Sequence, residues 1–158
     1  MITLGIDPGL DGALGVLDDG AFLAVEDMPT LIKGDGMIKR EVDATRMIQL
    51  LRGMVPADAA AAVALERVGA MPGQGSSSTF SLGDSYGTAR TAVAACRFEL
   101  HVVAPSVWKK HFALSRDKSE SIALAQRLFP AAPIKLKKHA DRAEALLMAR
   151  WLFETRYA

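Results

Sequence analysis

The chain has 158 residues, half of them hydrophobic, with 19 Lys and Arg against 18 Asp and Glu and a formal net charge of +1. That size suits one domain, residues 1–158, with a sizeable core, and the composition excludes a disordered or low-complexity class. One cysteine, Cys96, excludes a disulfide framework and fits a reducing compartment such as the cytoplasm, and no signal peptide or membrane-length apolar run is present.

Met1 to Ile6 reads as a short apolar strand, about 2–6, followed at once by Asp7-Pro8-Gly9. Asp11-Gly12 leads into a second strand, about 12–18, and Asp18-Asp19-Gly20 turns the chain into a third, about 21–27. Pro29 to Arg40, with two glycines and mixed charge, reads as a loop. Asp43 caps a helix to about Met54, with Met47, Ile48, Leu50, Leu51 and Met54 on its apolar side. Ala60 to Glu66 is apolar on both faces and belongs at the centre of a sheet. A Gly/Pro/Ser loop then leads to a long helix, about 79–97, in whose alanine-rich end Cys96 reads as a buried, inert thiol. Glu99 to Val103 is a fifth strand, and Pro105 and Ser106 start a short helix through His111. Asp117-Lys118-Ser119-Glu120 has the form of a capping box opening a helix to about Phe129, and a last helix covers about 139–156. Three antiparallel strands followed by βα units predict an α/β fold: a mixed five-stranded sheet with helices on both faces.

Charge is unevenly spread. Residues 1–100 carry 8 Lys/Arg against 13 Asp/Glu, whereas residues 101–158 carry 11 against 5. The basic residues gather at Lys109-Lys110-His111, Arg116 to Lys118 and Lys135 to His139. Basic loops beside acidic residues suit a polyanionic substrate; a solvated basic face is the plainer alternative.

Acidic residues occupy three places where core residues are expected. Asp7 closes the first strand, Glu66 closes the fourth, and Asp141 and Glu144 open the last helix, three apart and therefore on one side of it. A carboxylate at the end of a buried strand is costly unless compensated, and a metal ion is the commonest compensation. If the first and fourth strands are parallel neighbours, Asp7 and Glu66 converge. Acidic residues in a first helical turn are common in any protein, so the argument rests on the four together. It points to divalent metal and phosphodiester cleavage.

With these residues in place the chain resembles the RuvC family of Holliday-junction resolvases, in the RNase H-like superfamily, in a variant like those of phages and prophages. The matching stretches are Gly5-Ile6-Asp7-Pro8-Gly9, Ala64-Leu65-Glu66, the Gly83 to Arg90 helix, the Lys118-Ser119 helix start and Ala140 to Leu146. The resemblance implies an RNase H-like fold and a crossover junction endodeoxyribonuclease that cuts four-way DNA junctions by paired symmetric nicks, leaving 5′-phosphate and 3′-hydroxyl. It makes Asp7, Glu66, Asp141 and Glu144 the metal-binding quartet for two Mg²⁺ ions roughly 4 Å apart, with Mn²⁺ able to substitute. Glu144 stands where many relatives carry Asp, and its extra methylene bears on whether it ligates directly. Lys118 matches a lysine beside the scissile phosphate and joins the catalytic set. Lys109 and Lys110 match a DNA-backbone contact, and Lys137 and Lys138 in the third basic cluster are further DNA contacts.

Phe80, at the end of the glycine- and serine-rich loop, stands near an aromatic that the family uses to stack on an unpaired base; packing on its own helix is the alternative. Tyr86 and Trp108 read as core or interface residues. His139, two before Asp141, reads as a DNA-facing residue or an assistant to proton transfer. Cutting two strands symmetrically calls for a homodimer, and Gly83 and Gly87, four apart on the long helix, leave a smooth strip for a partner helix or for another part of the same chain. The setting implied is the cytoplasm of a bacterial cell. Three other functions compete: a catalytically weak branched-DNA-binding protein, an RNase H-like nuclease acting on flaps or RNA–DNA hybrids, and an actin-like ATP-binding protein. The last needs two hairpin-bearing domains, which this length does not supply.

Overall fold

In the computed structural model, which describes residues 1–34, 36 and 39–158, β1 (Ile2–Asp7), β2 (Ala13–Asp18) and β3 (Ala21–Asp27) form the predicted antiparallel meander. Asp19 and Gly20 make the second turn with φ of 45° and 78°, the left-handed pair that a two-residue hairpin loop demands. Next come β4 (Thr30–Ile32), β5 (Arg40–Val42), α1 (Ala44–Met54), β6 (Ala61–Glu66) and α2 (Ser76–Ala95). The remainder is β7 (Glu99–Val103), α3 (Pro105–His111), α4 (Lys118–Leu128) and α5 (Ala140–Arg156). The main sheet has five strands in the order β3-β2-β1-β6-β7, with β1, β6 and β7 mutually parallel. Among the described residues no helix is long and apolar enough to cross a membrane.

The two faces of the sheet differ in side-chain size, and that difference sets the height of the helices above it. On one face Ile2, Leu4, Ile6, Val63 and Leu65 pack against Met47 and Leu51 of α1 and Ala89 and Val93 of α2. On the other, Ala62 and Ala64 of β6 meet α4 and α5 through Ala125, Ala143, Leu146 and Leu147. Gly5 and Gly15 face each other across β1 and β2 on this side. A Cβ on Gly5 would lie 1.9 Å from the carbonyl oxygen of Ala145, and one on Gly15 would lie 2.8 Å from the backbone nitrogen of Leu146. The missing side chains therefore let α5 rest directly on the sheet backbone. Its first turns, with Asp141 and Glu144, come down over the end of β1.

Four expectations need correction. Part of the stretch from Pro29 to Arg40 is not loop: Thr30–Ile32 and Arg40–Val42 pair as a separate two-stranded antiparallel ladder. Three-residue strands are too short for alternation to register, and Ile32 is 89% exposed, so hydrophobicity gave no cue. Asp35, Met37 and Ile38 of that stretch lie outside the described residues. Secondly, α2 begins at Ser76 rather than about residue 79, with Gly75 as its cap. Serines read as loop formers because they compete with the backbone for hydrogen bonds, yet here Ser76, Ser77 and Ser78 make the first turn. Thirdly, Cys96 caps α2 and is only half-buried. Fourthly, the box at α4 is not reciprocal: Asp117 accepts from the Ser119 N–H at 2.9 Å, but Glu120 accepts from the Ser115 N–H at 2.7 Å.

Candidate metal centre

The parallel register Ile6↔Leu65 sets Asp7 and Glu66 side by side at the carboxyl ends of β1 and β6. The turn after Asp7 is tight. The Gly12 N–H donates to the Gly9 carbonyl at 2.9 Å, and a Cβ on Gly12 would lie 2.0 Å from the Asp7 carbonyl oxygen. From above, α5 lowers Asp141 and the buried Glu144. Carboxylate oxygens of Asp7, Asp141 and Glu144 lie within 4.8 Å of one another. These residues and Glu66 line one cleft of about 400 Å³ together with Lys118, Asp11, Leu10 and Leu82.

Glu66 stands slightly apart from the other three. Its Oε2 accepts a hydrogen bond from the indole N–H of the fully buried Trp108 at 2.9 Å. Two lysines enter the same space. The Lys109 ammonium donates to Glu144 Oε1 at 2.8 Å, and Ser121 Oγ donates to the same oxygen at 3.2 Å. The Lys118 ammonium donates to Asp141 Oδ1 at 2.8 Å.

The electrostatics follow from crowding. Burial, and then the charges of Glu66 and Asp141, push the Asp7 carboxyl up to about 7. Burial also raises Glu66, against the lowering effect of the Trp108 hydrogen bond and with help from the charge of Glu144. For Lys118 burial works against the ammonium, but Asp141, Glu144 and Asp7 outweigh it and its pKa is raised. Carboxylates this close and this poorly hydrated need positive charge among them. An all-oxygen, anionic donor set fits a hard divalent cation such as Mg²⁺ or Mn²⁺. The acidic triad could hold such an ion, with Glu66 beside it.

The other expected residues fall around this cleft or away from it. Phe80 is on the second turn of α2 and 69% exposed. Lys110 is exposed and lines a groove with Met71, Leu114 and Arg116 next to Lys109. Lys137 and Lys138 are exposed on a turn just before α5. His139 does not face the cleft: its Nδ1 accepts from the N–H groups of Lys135 and Leu136 at 3.1 and 3.3 Å. Burial, with the charges of Arg142 and Lys138, lowers its pKa.

Three participants escaped the sequence reading. Trp108 reads as core, and it is core, but its N–H ends on Glu66. Ser121 sits on the buried side of α4 against Glu144. Arg40 reaches from β5 to Asp11 at 2.8 Å, joining the small β4–β5 ladder to the rim of the cleft. Only the Trp108 indole carried a signal, because a buried tryptophan needs a partner for its N–H.

A five-stranded mixed sheet in this order, with carboxylates at the ends of the neighbouring strands β1 and β6, is the fold seen in RuvC. Solved structures bear this out. Thermus thermophilus RuvC in complex with a Holliday junction substrate is 21% identical over 99% of this chain and 95% of that one, with a TM-score of 0.67. A second Thermus thermophilus RuvC structure is 18% identical over 98% and 96%, with a TM-score of 0.58. No protein-family model matches the chain, and no curated protein matches it.

Proposed function

We propose that this chain, residues 1–158 acting as one unit, is a Mg²⁺-dependent endonuclease that resolves four-way DNA junctions in the bacterial cytoplasm. The observation that carries the reading is the convergence of Asp7, Asp141 and Glu144, with Glu66 beside them, in one cleft edged by Lys118. The shared fold with a protein solved on a Holliday junction supports the choice of substrate.

Bound divalent metal, two ions by the family resemblance and replaceable by Mn²⁺, would activate the attacking water and stabilise charge at the scissile phosphate and the leaving 3′ oxygen. The chain's own part is to hold and orient. Asp7, Glu66, Asp141 and Glu144 supply the ligands, and the cradle of Gly5 and Gly15 fixes their spacing. Lys118, at the first position of α4, turns its ammonium from Asp141 to a phosphate oxygen. Lys109 moves from Glu144 in the same way. Lys110, Lys137 and Lys138 contact the DNA backbone, and Phe80 stacks on an unpaired base, worth roughly 1–3 kcal/mol.

Incubating a four-way junction, a flap and an RNA–DNA hybrid with the protein and Mg²⁺ tests the reading. Symmetric ligatable nicks in the junction are expected; cleavage of the hybrid alone selects the competing RNase H-like activity, and binding without cleavage selects the branch-binding one. The lysines are separable by salt. Lys110→Ala is expected to weaken junction binding and to make the log–log salt slope shallower by about one. Lys118→Ala should also slow cleavage at saturating DNA. Equal slopes and rates in both variants would leave these lysines as a solvated face only.

Two opposed nicks call for two sites, and a homodimer supplies them. Gly83 and Gly87 support α2 as the interface: a Cβ at either would meet nothing within 4 Å, so no part of this chain, among the described residues, requires them. Each glycine costs a helix interior roughly 0.5–1 kcal/mol, a cost that close contact with a partner helix would offset. Gly87→Leu is expected to weaken the dimer and leave singly nicked junctions. Sedimentation of the unsubstituted protein, free and junction-bound, checks it; a monomer in both states removes the paired-nick mechanism.

A further inference from the structure

Trp108 is placed unlike an ordinary core aromatic. It is the largest fully buried side chain, packed among α4 and α5 residues. A phenylalanine would fill most of that space. What the indole adds is one neutral N–H, and it goes to Glu66 Oε2 at 2.9 Å rather than to a backbone carbonyl. The next residue, Lys109, bonds Glu144 at 2.8 Å, and its ammonium lies 5.1 Å from the centre of the Trp108 ring. The short helix α3 thus delivers adjacent donors to two carboxylates carried by different elements, β6 and α5.

The two donors differ in kind. A lysine neutralises the carboxylate that it touches and competes with any cation. An indole N–H fixes a carboxylate without adding charge, so the negative charge of the cleft stays available. Glu66 also has one more rotatable bond than an aspartate and is repelled by its acidic neighbours, so it needs fixing more than Asp7 does. We infer that Trp108 is a positioning residue for metal binding, holding Oε2 of Glu66 so that Oε1 is the oxygen left to meet the ion. This rests on the reading of the cleft as a divalent-metal site. Partners that orient a ligating side chain in this way typically contribute 10- to 100-fold in metal affinity.

The test uses magnesium chloride without DNA. Calorimetry on the wild type and on Trp108→Phe is expected to show Mg²⁺ bound about 10- to 100-fold more weakly by the variant. A second arm leaves Trp108 intact. In Trp151→Phe, where Trp108 is the remaining tryptophan, indole emission is expected to change saturably with Mg²⁺. Its midpoint should match the calorimetric one, and adding Glu66→Ala should abolish the response. Equal Mg²⁺ affinity in wild type and Trp108→Phe overturns the inference. So does Trp108 emission that ignores saturating Mg²⁺, and this arm decides the matter where Trp108→Phe does not fold. A wild-type protein that takes up no Mg²⁺ overturns the metal reading itself, and the positioning role with it.

Discussion

Asp7→Asn is expected to lower junction cleavage by at least about a thousandfold while junction binding holds or tightens. The substitution keeps the shape and removes the charge at the centre of the carboxylate group, where the proposed metal would contribute several kcal/mol of transition-state stabilisation. Binding persists because repulsion between that carboxylate and phosphate disappears. The same change has an opposite signature in the protein stripped of metal. Asp7 is raised from 3.8 to about 7 in the folded chain, so it binds its proton more tightly folded than unfolded. Its contribution to stability is therefore complete below about pH 4 and is lost as pH rises through about 7, a loss of roughly a few kcal/mol. In EDTA, wild-type melting temperature should decline across that window, and Asp7→Asn should flatten the decline. Mg²⁺ should restore the wild type above pH 7 and leave the variant unchanged. Cleavage by Asp7→Asn within tenfold of wild type would remove Asp7 from the metal set.

Gly5→Ala is expected to cost about 3 kcal/mol or more, which for a chain of this size lowers the melting temperature by roughly 6–12 °C. The new methyl group would meet the Ala145 carbonyl at 1.9 Å and the Ala149 nitrogen at 2.8 Å, both backbone atoms that no rotamer change can move. Relief requires α5 to rise from β1. That motion separates Asp141 and Glu144 from Asp7, so metal-dependent thermal stabilisation should fall further than stability alone would dictate. Gly53→Ala, near the end of α1, is the matched control. Its Cβ meets nothing within 4 Å, and the change should be neutral or gain up to about 1 kcal/mol. Equal melting temperatures for the two variants would mean that α5 is not seated on the sheet backbone.

Much of this fold and site is legible in the sequence. Long apolar runs and an Asp-Gly turn define β1, β2, β3 and β6, and the four carboxylates stand out because each interrupts an apolar pattern. What escaped did so for identifiable reasons. The β4–β5 ladder is held by three residue pairs with Leu31 and Ile32 turned to solvent, so it leaves no periodic trace. The start of α2 is written in serines, which favour caps and turns locally yet enter the helix here. Adjacent lysines are not told apart by sequence: folding turns Lys109 inward to Glu144 while Lys110 stays outside. The hydrogen bond of Trp108 joins residues 42 apart and is invisible to any local pattern.

The order of the elements along the chain bears on when the cleft exists. Asp7 and Glu66 are made early, whereas Asp141 and Glu144 arrive on α5, which follows every other element in the sequence. That helix then has to lie down over β1, nearly the whole chain length away. Contacts of such sequence separation form late, after the entropy of closing a long loop has been overcome. A growing chain on the ribosome therefore carries half of its acidic group and no assembled cleft. The cleft proposed to hold metal is thus out of reach of every partly made copy.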